Sequence, residues 1–257
     1  MHNYKITVAY DGTRYKGWQS QKTTDATIQG KLETILEKAA GRPIAVIGSG
    51  RTDAGVHAKG QTANFYLQDA WEAEELLELF NQYLPEDIAV LSVKEAKERF
   101  HSRFSATEKT YQYRIHTGKV PEVFERKYVY SYGRPLHVEN MKKAAEYMTG
   151  TKDFASFCGN RHMKKSTVRS IYEIRFEETP SKEFVSPYGS CGEIRILYRG
   201  SGFLQSMVRI MTGTLIEVGE GKRQPEDIPV ILEAKNRALA GFTAPAQGLM
   251  LMEVRYN

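Results

Sequence analysis

Cysteine is scarce in this 257-residue sequence: Cys158 and Cys191 stand far apart, with no Cys-x-x-Cys pair. That spacing excludes a disulfide scaffold and a zinc ribbon, so two reduced, structural thiols are expected. Long apolar runs are also missing. No stretch approaches the ~18 consecutive apolar residues of a spanning helix, and the opening MHNYKITVAYDG has no apolar core of the kind a secretion signal carries. The expectation is a cytoplasmic protein that crosses no membrane. No segment is of low complexity, and charge of one sign is only slightly in excess, at +5, spread along the chain. That excess alone argues weakly for a polyanionic partner.

What is present is the composition of a folding chain. Hydrophobic residues at 41% and charged residues at 26% fall in the ordinary globular range and argue against extensive disorder. The fifteen tyrosines add some weight to nucleic acid, because aromatic faces among Lys and Arg can stack unpaired bases. Most of them serve equally well as strand-core residues.

Read in order, the first half alternates strand and helix. Tyr4–Tyr10 alternates as a strand and ends at the turn signal Asp11-Gly12, and Thr27–Ala40 carries Ile28, Leu32, Ile35, Leu36 and Ala39 at helical spacing. Pro43–Ile47 and Gln61–Leu67 read as strands around a glycine-rich loop, Ala73–Leu84 as a helix and Ile88–Ala96 as a strand. This β-α-β-β-α-β order is the ferredoxin-like pattern. The second half roughly repeats it. Strand Thr110–Thr117, helix Glu139–Met148, strands Val168–Phe176 and Glu193–Tyr198, and helices Phe203–Val218 and Glu226–Ala240 are expected, with Glu177–Gly192 a surface hairpin or insertion. The fold expected is α+β, in two domains, 1–105 and 106–257.

The most informative stretch is GSGRTDAGVHAKGQ, Gly48–Gln61. Its glycines permit tight backbone around Arg51-Thr52-Asp53, which can present Asp53 into a cleft from a strand end. Taken alone, a Gly-Asp loop reads as a turn with an exposed aspartate. A Walker-type phosphate loop lacks its Lys-Ser or Lys-Thr ending here, and the dinucleotide fingerprint lacks its last glycine. His57 has no second histidine at ligand spacing, so it reads as a hydrogen-bonded structural imidazole, and no metal is expected. Tyr111, Tyr113 and Ile115 share one face of their strand, for which core packing is the plain reading. In the helix after Gly202, Leu204, Met207, Val208, Met211 and Leu215 fall on one face, while Arg209 lies off it and is open to a cleft or to solvent.

GRTDAGVHA, Gly50–Ala58, resembles the signature of the tRNA pseudouridine synthase A family. The resemblance extends through YDGTRYKGWQSQ at Tyr10–Gln21, LPEDIAV at Leu84–Val90, RFSATEKTYQYRI at Arg103–Ile115, GFLQSMVR at Gly202–Arg209 and APAQGL at Ala244–Leu249. It departs at Thr151–Phe157, where a histidine commonly precedes the aspartate, and at Val218–Lys222, where the residue between glycines is often basic.

The resemblance implies isomerisation of uridine to pseudouridine at positions 38, 39 and 40, in the anticodon stem-loop of tRNA. Asp53 then takes the place of the catalytic nucleophile, with attack on C1′, attack on C6 and abstraction of a ribose proton all left open. By the same resemblance Arg209 pairs with Asp53, and Tyr111 stacks on the target base and takes or relays the C5 proton. Arg51 helps a flipped base leave the stack, and its fork suits a phosphate. Also implied are two ferredoxin-like halves with joined antiparallel sheets, a central basic cleft and a homodimer. The reaction has neither redox change nor net hydrolysis, so no cofactor is expected. The rival is a non-catalytic tRNA-binding module or chaperone, for which a carboxylate facing a polyanion has no use. A glycosyl hydrolase would more often show two carboxylates with room for water.

Overall fold

The computed structural model describes residues 1–160, 163–186 and 189–257. The chain packs as two compact units, Met1–Thr107 together with Leu251–Asn257, and Glu108–Met250. Almost all strand pairings are antiparallel, and five α-helices occur among the described residues.

In the first unit β1 (His2–Tyr10) turns Tyr4, Ile6, Val8 and Tyr10 into the core, as its alternation requires. Helix α1 (Ile28–Ala40) starts where the Thr27 hydroxyl accepts from the Gly30 amide, and stops at Gly41 in the left-handed region. Its Ile28, Leu32, Ile35 and Leu36 are buried. A short β2 (Ile47–Gly48) pairs with β3 (His57–Leu67), and α2 (Ala73–Tyr83) packs on β4 (Ile88–Ala96). β1 lies between β4 and β3. Tyr4 stacks on Phe65 at 5.7 Å, and Phe65 meets the edge of Phe80 at 5.9 Å, tying sheet to helix.

The strand expected at Pro43–Ile47 survives only as its last residue plus Gly48. Ile44 and Val46 are buried as the pattern implies, but Pro43 has no amide to donate, and the Val46 amide donates to Glu33 Oε1 on α1. A side chain has replaced the strand ladder.

In the second unit β5 (Ala106–His116) carries a parallel two-residue partner, β6 (Tyr130–Ser131). After α3 (Val138–Glu146) come β7 (Gly150–Asp153), β8 (Val168–Ser186) and β9 (Gly189–Gly200), in the spatial order β5-β9-β8-β7. The hairpin expected at Glu177–Gly192 is the β8–β9 pair, registered as far as Ser186 with Gly189; its turn, 187–188, and the side chain of Cys191 lie outside the described residues.

Helix α4 (Met207–Gly219) is not the one-faced helix its spacing suggested. Met207, Val208, Ile210, Met211, Thr212, Thr214, Leu215, Ile216 and Val218 are all buried, so the helix is enclosed on nearly every side, and Arg209 and Glu217 are its half-buried exceptions. The helix expected over Glu226–Ala240 ends early: α5 (Asp227–Ala234) stops at Lys235, whose φ is 47°, and a 3-10 turn follows at Arg237–Leu239. Asn236 ends it by taking two other partners, its amide donating to Ser156 Oγ and its side-chain oxygen accepting from the Ala238 amide. The sequence pattern predicts no strand at the end of the chain, yet β10 (Leu249–Tyr256) forms there and lies beside β3.

Candidate active site

Of the residues named from sequence, Arg51 and Asp53 lie in the first unit, and Tyr111 and Arg209 lie in the second.

In the first unit three motifs converge. The loop that carries Asp53 runs between β2 and β3, and buried bonds hold it on both sides of Asp53. The Tyr10 hydroxyl and Thr52 Oγ1 are 2.8 Å apart, the Trp18 amide donates to the Thr52 carbonyl at 3.1 Å, and the Val56 amide donates to the Asp53 carbonyl at 3.2 Å. At the loop's start the Ser49 hydroxyl donates to Gln61 Oε1 at 2.7 Å, and Gln61 Nε2 donates to the Gly50 carbonyl at 3.0 Å. Burial raises the Tyr10 pKa, against a smaller pull from its bonds to Thr52 and Gln61, so this phenol stays protonated. Gly17 makes the crossing possible: its φ is +100°, and a Cβ there would sit 2.7 Å from the Thr52 carbonyl oxygen. The LPEDIAV motif closes the other side, where the Asp11 amide donates to the Asp87 carbonyl and the Tyr15 hydroxyl and Arg14 guanidinium both donate to the Asp87 carboxylate.

Asp53 is half-buried and Arg51 is exposed. Arg51 Nε donates to Gln19 Oε1 at 3.0 Å. His57 is buried, with Nδ1 3.0 Å from the Gly12 amide and 3.2 Å from Asp11 Oδ1, a hydrogen-bonded imidazole beneath the loop. Among the described residues no group of His, Cys, Asp and Glu could hold a metal ion, and no helix is long and apolar enough to cross a membrane.

In the second unit another three motifs meet. Tyr111 is buried on β5, opposite Tyr198 of β9, and the edge of its ring meets Phe203 at 5.2 Å and 84°. Arg209 is clamped to the segment around Ala244: its Nε donates to the Ala244 carbonyl at 2.7 Å, and its own carbonyl accepts from the Ala244 amide at 3.1 Å. The next carbonyl, that of Pro245, accepts from the Tyr113 hydroxyl at 2.7 Å. Thr212 Oγ1 donates to the Val208 carbonyl, so the Tyr198 hydroxyl is the donor in its 2.8 Å bond to Thr212. Burial pushes the pKa of Tyr113 and Tyr198 up, and both hydroxyls serve the structure.

Sequence reasoning named Arg51, Asp53, Tyr111 and Arg209 and missed residues that hold or pack on their segments: Tyr10, Gly17, Trp18, Gln61, Phe203 and Ala244. All but one lie inside the quoted motifs, and Gln61 closes the glycine-rich stretch, so the signal was there in position but not in residue type.

The family described as tRNA pseudouridine synthase matches residues 6–105 and 144–257. The chain is 45% identical, over the full length of both, to the tRNA pseudouridine synthase A of Bacillus sp. (strain KSM-64). It is 44% identical over the same extent to tRNA pseudouridine synthase A 1 of Clostridium tetani, and 41% identical to tRNA pseudouridine synthase A 2 of Bacillus cereus (strain ATCC 10987 / NRS 248).

Proposed function

The chain belongs to the tRNA pseudouridine synthase family, and on that premise we propose that it isomerises uridine to pseudouridine at positions 38, 39 and 40 of the tRNA anticodon stem-loop, with Asp53 as nucleophile. It is an isomerase that acts on tRNA. The bond between ribose C1′ and uracil N1 breaks, the base turns, and C5 bonds to C1′ while its proton leaves and N1 gains one. A carboxylate that bonds covalently to C1′ or C6 divides this exchange into easier steps. In this proposal Arg209 supplies the compensating charge for Asp53, the Tyr111 ring stacks on the base and its hydroxyl handles the C5 proton, and Arg51 holds a phosphate beside the flipped nucleotide.

The observation that carries the reading is the loop around Asp53 itself. Asp53 is the half-buried acid on a segment whose neighbours Thr52 and Val56 are buried, Thr52 bonded to Tyr10 of β1 and to the Trp18 amide, and the Val56 amide bonded to the Asp53 carbonyl. Such rigidity suits a group that must meet one atom of a substrate. The proposal extends to two ferredoxin-like domains, the first with the nucleophile loop and the second completing a basic cleft, in a cytoplasmic homodimer. Supporting this, the first unit runs β-α-β-β-α-β with β1 between β4 and β3. The test is incubation with unmodified tRNA transcripts and mapping of pseudouridine by chemical labelling. New pseudouridine at 38–40 is expected. Binding without product would favour the chaperone reading, and product confined to other positions would overturn the anticodon assignment.

A further inference from the structure

A line of polar side chains leads from helix α1 to Arg51. Glu33 Oε1 accepts from Gln29 Nε2 at 2.7 Å; Gln29 Oε1 accepts from Gln19 Nε2 at 2.7 Å and from the Ser20 amide at 3.1 Å; Gln19 Oε1 accepts from Arg51 Nε at 3.0 Å. A backbone line runs beside it, with the Gln29 amide donating to the Trp18 carbonyl and the Trp18 amide to the Thr52 carbonyl. The chain has one direction. Ionised Glu33 can only accept, so Gln29 must turn its NH₂ toward it, which faces the Gln29 oxygen to Gln19. Gln19 then turns its own NH₂ inward and its oxygen to Arg51. Reversing either amide would set two oxygens or two NH₂ groups against each other.

Glu33 is itself anchored by the Val46 amide at 3.0 Å, and Gln29 is buried, so the inner end of the line is rigid. Its outer end is an exposed arginine. An exposed guanidinium ordinarily samples many rotamers, and each ordered one costs side-chain entropy on binding. Tethering Arg51 through Nε removes part of that cost and leaves both Nη groups for an anion.

We propose that Gln19, Gln29 and Glu33 are positioning residues that pre-orient Arg51 to receive an RNA phosphodiester beside the target nucleotide. The carboxylate at the far end polarises both amides and strengthens the acceptor that holds the guanidinium. The inference rests on the reading of Arg51 as a substrate-binding residue, and it adds how that residue is held.

The test is a double-mutant cycle read in single-turnover pseudouridine formation at sub-saturating tRNA, using the whole protein. Arg51→Ala and Gln19→Leu are each expected to slow the reaction on the order of tenfold, the effect of losing one charge-assisted hydrogen bond. Glu33→Gln keeps the size and an acceptor for Gln29, and should give a smaller loss in the same direction. In the Arg51→Ala background the effects of Gln19→Leu and Glu33→Gln should vanish, because they act through Arg51. Equal losses in both backgrounds would show a merely structural role and overturn the proposal. An effect of Arg51→Ala with none from Gln19→Leu would overturn the positioning line while leaving the reading of Arg51 intact. No effect of Arg51→Ala would remove both. Thermal unfolding of each variant separates loss of fold from loss of orientation.

Discussion

At the scale of single residues the proposed chemistry rests on a carboxylate and a phenol. Asp53→Asn keeps the size of the side chain and removes the proposed nucleophile, so release of tritium from C5-labelled uridine in tRNA should fall by on the order of 10³-fold or more while tRNA binding persists. A variant with near wild-type release would sink the assignment of Asp53. Tyr111→Phe keeps the ring that packs on Phe203 and removes only the hydroxyl. If that hydroxyl handles the C5 proton, turnover should fall on the order of 10²–10⁴-fold. Equal turnover in the two proteins would confine Tyr111 to stacking. Among the neighbouring tyrosines, Tyr113→Phe and Tyr198→Phe each break a structural bond, to Pro245 and Thr212, and should lower stability in the first place.

At the scale of elements, α4 owes its position to a close backbone approach. A Cβ on Gly213 would stand 1.9 Å from the Phe242 carbonyl oxygen, a distance no side chain can relieve. On an exposed helix, glycine to alanine gains about 1 kcal/mol; here Gly213→Ala must push α4 off the 241–244 segment, and a net loss of about 1–3 kcal/mol is expected. The melting temperature should drop, and since Ala244 holds Arg209, turnover should drop with it. A melting temperature at or above wild type would show that the segment yields freely. Between β5 and β9, Glu193 is gripped by Arg114 through two bonds of 2.7 Å and by Arg195 through one of 2.6 Å. Burial raises its pKa, but the hydrogen bonds and charges of Arg114 and Arg195 outweigh this, and the net direction is down. A depressed folded-state pKa stabilises fully above the unfolded value, about 4.3 for Glu, and the contribution is lost as pH falls through the folded value. Glu193→Gln should therefore cost about 1–3 kcal/mol at neutral pH, and the gap in urea midpoint between variant and wild type should narrow as pH drops below about 4.3. A gap that does not change with pH would show that the pair contributes nothing through its charge.

At the scale of the whole molecule, the chain's last residues pack with its first unit. Leu251 and Val254 are buried, the Tyr256 hydroxyl donates to the Ser102 carbonyl, its ring lies 5.0 Å from that of Phe100, and Lys5 Nζ sits 4.3 Å from the same ring. Deleting Leu251–Asn257 should thus loosen the unit that carries Asp53. Burial of Leu251 and Val254 alone contributes about 1.5–3 kcal/mol each. Hydrogen exchange of the truncated protein should show lost protection in β1 and β3, with that of the β8–β9 pair retained; the reverse pattern would contradict the division into units.

The sequence by itself determined the family, the loop around Asp53 and most elements of the first unit, because these depend on local properties: alternation in β1, a capped amphipathic stretch in α1, glycines around Arg51-Thr52-Asp53. It also placed Tyr111 and Arg209 within their motifs. Tertiary structure decided what local pattern leaves open. Val46 sits in the core yet gives its amide to Glu33, so no strand forms there; α4 is apolar on nearly all sides because other segments enclose it; and the last strand completes the first unit. Each of these turns on which distant residue meets a given backbone group or face. Such partners are set by packing across long sequence separations, to which a window of ten or fifteen residues is blind.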